Sequence, residues 1–233
     1  MKKVVMVAPP FHSIPPTKGA AVEWWIYQVS KRLKHFEPHI ISICGSNEPE
    51  LEIREGVTIH RVKIGRTYRR IFQKILGIDP LSYVRRVDRI IRRIGADIVH
   101  VHNMPAMFLE LENLGKKRTR HYVLHMHNEK PEPHLTSSSE LFVVSQYLAN
   151  YYRTFVPQAN IQIIPNGVDI DQIRPKWELQ GKPNFRDLNN RIPPGSKVIL
   201  YAGRMSPEKG PLKLVRAFAE LLKSRSDVFL LMA

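Results

Sequence analysis

The sequence predicts a doubly wound α/β protein: a parallel sheet covered by helices on both faces, followed by a shorter unit of the same kind. Three observations predict it. Nine short runs rich in Val, Ile and Leu recur along the 233 residues. Amphipathic helical patterns lie between them, at 19–35, 81–94, 145–155 and 211–224. A stretch with prolines, glycines and scattered charges but no apolar periodicity, at 172–196, interrupts this alternation, which then restarts.

Taken in order, "KKVVMVA" (2–8) is the first strand. Pro9 and Pro10 stop its apolar stretch short of the ~7–15 residues of a signal h-region and the ~20 of a membrane span. The helical pattern at 19–35 follows. "HIISIC" (39–44) is the second strand and ends on Cys44, the single cysteine. An intrachain disulfide is therefore impossible, and a cytoplasmic, reducing location is expected. "VTIHRV" (57–62) is the third strand, and after the helical pattern at 81–94 come "ADIVHVH" (96–102) and "HYVLHMH" (121–127). "LFVVS" (141–145), the helix at 145–155 and "IQIIP" (161–165) complete the first sheet. Ligand-facing loops are expected at 9–20, 102–106 and 127–140, where strands end. "PNGVD" (165–169) reads as a turn, since Asn-Gly readily takes positive φ. The expected organisation is a first domain at 1–172, a linker at 173–196 and a second unit at 197–233. That unit contains one strand–loop–helix–strand and reads as the incomplete start of a domain.

Net charge is +15, which concentrates anionic partners near the surface. Basic residues crowd 61–93, from Arg61 to Arg93. Two readings stay open: a solvated helix face, or a basic amphipathic stretch in peripheral contact with an anionic membrane. No nucleic-acid module or aromatic-rich basic platform is present, so nucleic acid is not an expected partner.

The segment "YAGRMSPEKGPLKLVRAFAELLK" (201–223) holds the clearest site signal. Leu214, Val215, Phe218, Leu221 and Leu222 share one helical face. Pro211 suits the first helical position, and Gly210 lets backbone approach a ligand. The loop thus brings Arg204, Lys209 and free N–H groups to a helix start, an anion site that suits a diphosphate. Solvated loop charges are the plainer reading. The Walker A order is absent, and so is a GxGxxG fingerprint.

Four histidines on two strands, His100 with His102 and His125 with His127, suggest zinc. Against this, structural zinc favours cysteine, and Glu129 is the one carboxylate close by in sequence. No metal is expected, and His100 and His125 read as satisfied interior histidines.

"GRMSPEKG" before an amphipathic helix resembles the donor-diphosphate loop of the family 4 glycosyltransferases, retaining enzymes of the GT-B fold, which pairs two Rossmann-like domains. Further segments resemble that family in the same order along the whole chain: "PPTKGAAVEWWIYQVSKRL", "ADIVHVHN", "VLHMHN", "LFVVSQYLANYY" and "IIPNGVDIDQIRP". "HNE", "PKW" and "KGP" resemble the spore-coat and cell-surface polysaccharide subgroup. The resemblance implies transfer of a sugar from a nucleotide-sugar co-substrate to a saccharide, lipid or small-molecule acceptor with retention, without metal or other cofactor. It implies that Arg204 and Lys209 neutralise the leaving diphosphate and that His127 faces the donor sugar. His102 and Asn103 would line the acceptor side. Asn166 and Gly167 would lie beside the cleft, with a donor contact. The family's first loop carries two glycines near the donor phosphates; here the pair is Gly19-Ala20, so a Cβ stands at the second position. The family's paired glutamates lie beyond the matching segments, so the chain is expected to be a fragment, inactive alone. The rival reading is a non-catalytic basic α/β module binding anionic glycans, phosphates or membrane.

Overall fold

The computed structural model describes residues 1–17, 19–65, 79, 81–116, 119–131, 135–136, 140–170, 192–193 and 195–233. They form two compact units, Met1–Gly167 and Val168–Ala233. The expected linker at 173–196 and the part of the basic stretch at 66–78 lie almost wholly outside the described residues.

In the first unit β1 (Lys2–Val7), β2 (Phe36–Ile43), β3 (Leu51–Arg54), β4 (Val57–Val62), β5 (Ile98–His102), β6 (His121–Met126), β7 (Glu140–Val143) and β8 (Asn160–Ile163) build one sheet. Its order is β3-β4-β2-β1-β5-β6-β7-β8. All neighbouring pairs are parallel except β3 with β4. Because β2 and β5 flank β1 on opposite sides, the connections leaving β1 and β5 diverge. This is the switch point at which open α/β sheets leave a crevice beyond the strand ends. The doubly wound parallel sheet expected from the sequence is present.

Helices α1 (Ala21–Ser30), α2 (Tyr83–Ile94), α3 (Pro105–Gly115) and α4 (Gln146–Arg153) cover the sheet. Two show clear local causes. In α2, the Ser82 hydroxyl caps the start by accepting from Arg85 N–H. Gly95, at φ 69°, ends it by sending its N–H to the Ile91 and Arg92 carbonyls. Between these caps Val87 and Ile91 are buried, while Arg85, Arg89, Arg92 and Arg93 face solvent. In α4, Ser145 accepts from Leu148 N–H at 3.2 Å and Leu148, Ala149 and Tyr152 are buried.

The main core lies between α2, α3, α4 and one sheet face, with Val99, Val101, Phe108, Leu111, Leu124 and Tyr152 at its centre. A smaller cluster of Met6, Ile14, Ile26, Tyr27, Ile40 and Ile59 packs α1 on the other face.

Three features depart from the sequence expectation. The β3–β4 hairpin turns through Glu55 (φ 47°) and Gly56 (φ 79°), and four residues of mixed polarity at the sheet edge carry too weak a strand signal. Helix α3 starts at Pro105 and buries Met107, Phe108 and Leu111, a spacing hidden within a generally apolar run. Arg61, counted within a basic surface stretch, is 3% exposed. Its guanidinium donates to the Ile14 carbonyl from Nε (3.2 Å) and Nη2 (2.7 Å), to the Pro49 carbonyl (3.0 Å) and to Glu52 (2.6 Å). It ties the β1–α1 loop to β4.

In the second unit β9 (Lys197–Tyr201) pairs in parallel with β10 (Val228–Met232), joined through α5 (Pro211–Leu221). Among the described residues no helix is long and apolar enough to cross a membrane.

Candidate functional site

Beside the switch point, β5 and β6 run side by side in parallel, with His102 directly opposite His125. Alternation along a strand puts His100 and His102 on one face, and His125 and His127 on the same face of the next strand. The four imidazoles therefore form a two-by-two array. His100 and His125 stack with planes 6° apart, and His125 and His127 at 21°. The indole of Trp25, from α1, lies 4.8 to 6.5 Å from all four rings, centroid to centroid. His102 and His125 are fully buried; His127, just past β6, is half-buried at the opening.

Burial disfavours the imidazolium here. Desolvation lowers His100 to about 3, His125 to about 2 and His127 to about 4, and pushes His102 well below its usual value. The cluster is neutral at physiological pH. His102 Nδ1 lies 3.2 Å from His127 Nε2, and its Nε2 lies 3.4 Å from Met6 Sδ. By contrast, among the described residues His100 Nε2 and both ring nitrogens of His125 have no hydrogen-bond partner. The expectation that His100 and His125 are satisfied is wrong, because the Trp25 and Phe142 rings and neighbouring imidazoles pack around them.

Asn103 follows β5 at φ 56°, a left-handed conformation that asparagine tolerates better than most residues. Its Oδ1 accepts from His127 N–H at 3.3 Å, and its own N–H donates to the His125 carbonyl at 2.8 Å. Lys130 donates to the Asn103 carbonyl at 2.8 Å, and partial burial lowers its ammonium pKa. The structure thus joins His102, Asn103 and His127 in one network. His127 opens on a pocket of about 460 Å³ lined also by Asn128, Glu129, Ser145 and Tyr147. The Tyr147 hydroxyl donates to Glu129.

Gly19 and Ala20 precede α1. Ala20 is the N-cap and supplies no side-chain cap. A Cβ built on Gly19 meets nothing within 4 Å, so packing inside the first unit does not demand glycine there. Asn166 and Gly167 follow the edge strand β8 and are exposed, and neither takes the positive φ expected of an Asn-Gly turn. The chain instead runs on irregularly to Asp169.

In the second unit the loop after β9 contains a 3₁₀ turn, Pro207–Lys209. Gly210, at φ 72°, closes that turn and also begins α5, with Pro211 at the first helical position. No side chain caps α5, so its first N–H groups point outward. Arg204 and Lys209 are exposed on this loop. Glu208 lies 3.9 Å from the Arg204 guanidinium, and a hydrogen bond from Ser206 holds its carboxyl below the usual range. An incoming anion would compete with this carboxylate.

The family model described as Glycosyltransferase Family 4 matches residues 22–172. The chain belongs to glycosyltransferase family 4. Over 233 residues it is 34% identical to the lipopolysaccharide 1,2-N-acetylglucosaminetransferase of Salmonella typhimurium, covering 98% of this chain and 59% of that protein. It is 22% identical to spore coat protein SA of Bacillus subtilis, again over 98% of this chain and 59% of the relative. The chain thus spans about three fifths of the length of these curated relatives. Its fold is similar to the crystal structure of a UDP-forming α,α-trehalose-phosphate synthase from Burkholderia xenovorans, with a TM-score of 0.66 at 15% identity. That match covers 99% of this chain and 65% of the other.

Several residues of this family 4 chain escaped the reading of its sequence. Trp25 gave a helical apolar signal but no hint that it roofs the histidines. Lys130 lies outside the quoted segments and Tyr147 carried no role within "LFVVSQYLANYY", and only their contacts bring them forward. Glu208 sits inside the quoted loop, where i,i+4 spacing from Arg204 was the available signal.

Proposed function

We propose that this chain is part of a retaining glycosyltransferase that moves a sugar from a nucleotide diphosphate donor to a saccharide or lipid-linked acceptor. One observation carries the proposal: in a family 4 chain, Arg204, Lys209 and the uncapped start of α5 converge on one exposed loop after a parallel strand. Charge developing on a departing diphosphate is stabilised by donors already in place, and guanidinium, ammonium and backbone N–H groups are such donors. In the first unit, His127 and Asn103 are the polar groups presented at strand ends, where ligands of open α/β sheets bind. They take the sugar-positioning and acceptor-side roles, with Glu129 and Tyr147 lining the same pocket. His127 acts as a neutral hydrogen-bonding group, since burial opposes its protonation. The names of the Salmonella and Bacillus relatives support an acceptor belonging to a cell-surface glycan. The basic exposed face of α2 suits peripheral contact with an anionic membrane.

Calorimetric titration of the 233-residue chain with a nucleoside diphosphate tests the loop. Binding is expected in the millimolar range, roughly −4 kcal/mol. Arg204→Ala and Lys209→Ala should each weaken it. Glu208→Gln should strengthen it by about two- to fivefold, the range of an exposed ion pair. If none of the three changes affinity, the loop is not the diphosphate site. A phosphate-binding module without transfer would show equal affinity for inorganic pyrophosphate and for the nucleoside diphosphate.

A further inference from the structure

We propose that His100, His102 and His125 form a binding site for one late first-row divalent cation, of the Zn²⁺ class. Each offers one ring nitrogen, and these nitrogens all lie within 4.8 Å of one another. Tetrahedral zinc with Zn–N near 2.0 Å needs nitrogens about 3.3 Å apart, so modest ring rotation brings the three into ligand range. The backbone need not move, because β5 and β6 already hold the three side chains on one face.

The unpaired nitrogens are the second, independent observation. Among the described residues His125, fully buried, has no partner for either nitrogen, and His100 Nε2 has none at 8% residue exposure. Buried polar atoms in native proteins nearly always have partners, and a cluster of exceptions calls for an unseen ion or ligand. A proton would not answer this need, since it must bring charge into a site that no carboxylate faces among the described residues. A cation bound by several imidazoles recovers in bond formation what it loses in hydration.

The donor set selects the ion. Three imidazoles with the Met6 thioether beside His102 contain no hard oxygen ligand, which argues against Mg²⁺ and Ca²⁺. Imidazole suits zinc, copper and nickel. His102 also has outer contacts: its Nδ1 lies 3.2 Å from His127 Nε2 and its Nε2 3.4 Å from the Met6 thioether, so a ring that gives one nitrogen to the metal keeps a neighbour at the other. The fourth position would hold water, reached from the side where His127 meets the pocket. Such an ion would clamp β5 to β6 beside the switch point. The expectation of no metal weighed the missing cysteines and could not see that the two histidine pairs are neighbours in register. This inference stands apart from the proposed sugar transfer and survives its failure.

The test uses the full chain, stripped with a chelator and titrated with Zn²⁺ by calorimetry and with Co²⁺ by absorption. One ion per chain is expected, at micromolar affinity or tighter, with the intense visible bands of four-coordinate Co²⁺. His100→Gln and His125→Gln should each abolish this binding, while His39→Gln, in a separate histidine pair, should leave it intact. Because a buried substitution can unfold the chain, a second measurement leaves the ligands untouched. In a Trp24→Phe, Trp177→Phe chain the remaining Trp25 sits within 6.5 Å of every imidazole in the array, so bound Co²⁺ should quench its emission in step with the absorption bands. The proposal is overturned if no ion binds one-to-one. It is equally overturned if binding leaves Trp25 emission unchanged, or if it survives His125→Gln and disappears with His39→Gln.

Discussion

Replacing Arg61 by methionine tests whether the β1–α1 loop hangs on one buried guanidinium. The substitution keeps an unbranched apolar side chain and removes every donor. Glu52 and Glu48, with side chains 29% and 26% exposed, can turn to water, and so can exposed Pro49. Ile14 cannot: it is fully buried, and its carbonyl accepts two of the guanidinium's bonds. Breaking a buried ion pair from one side costs about 3–5 kcal/mol, and an orphaned buried carbonyl alone about 1–3 kcal/mol. With three of the four partner residues able to rehydrate, the lower part of the first range applies, about 3 kcal/mol. For a unit of this size each kcal/mol lowers Tm by ~2–4 °C, so a fall of roughly 6–12 °C is expected. Scanning calorimetry of wild type and variant reads this directly. Arg61→Lys, which keeps the charge but loses the planar fork, should recover less than half. A Tm for Arg61→Met within 2 °C of wild type, taken as about the calorimetric error on 1 kcal/mol, would refute the reasoning.

Three other outcomes are expected. Gly115→Ala should lower the urea midpoint, with about 1–3 kcal/mol lost to overpacking, because a Cβ there falls 2.1 Å from Tyr122 Oη and 2.7 Å from its Cζ. Adding Tyr122→Phe should recover part of it, and failure to do so points away from this clash. His60 is lowered to about 4, by desolvation first and then by the charges of His39 and Arg93. The unfolded chain therefore binds a proton below about 6.5 while the folded chain does not, so stability is lost as pH falls from 6.5 to 4. His60→Gln should make the decline of Tm across that window shallower; an identical decline contradicts the assignment. Vesicles with anionic lipid should bind the chain at low salt and release it as ionic strength shortens the screening length to about 10 Å and below. Glutamine at Arg85, Arg89, Arg92 and Arg93 together should abolish that binding, and equal binding to neutral vesicles argues for a merely solvated face.

The parallel sheet was legible because a buried parallel strand must be apolar nearly throughout, and "KKVVMVA" or "HYVLHMH" admits few other readings. Amphipathic helices were equally open: the pattern at 81–94 falls on α2, Tyr83–Ile94. What escaped depends on pairings between distant segments. The β3 strand owes its existence to β4, not to its own four residues. Arg61 looks like its surface neighbours until the Ile14 carbonyl is brought to it from 47 residues away. The histidines illustrate both sides: period-two spacing showed which rings share a face, but their register, their missing partners and the Trp25 roof arise only when β5, β6 and α1 meet. Arg204 and Lys209 were visible because their loop is local, whereas the competing Glu208 carries the wrong sign for the motif and was passed over.

The order of the strands around β1 has a consequence for how this scaffold can diversify. The crevice at the switch point arises from connectivity, so it persists whatever residues fill the loops around it. Lengthening a flexible loop costs little, only about 0.6 kcal/mol for each doubling. The loop after β1 is nonetheless not free along its whole length, because Arg61 pins it at Ile14. Variation upstream of that pin would disturb the core, while the few residues between it and α1 can change in length and chemistry at small cost. Transplanting only that downstream portion from a relative is thus the smallest graft by which a new ligand preference could be installed on an unchanged framework.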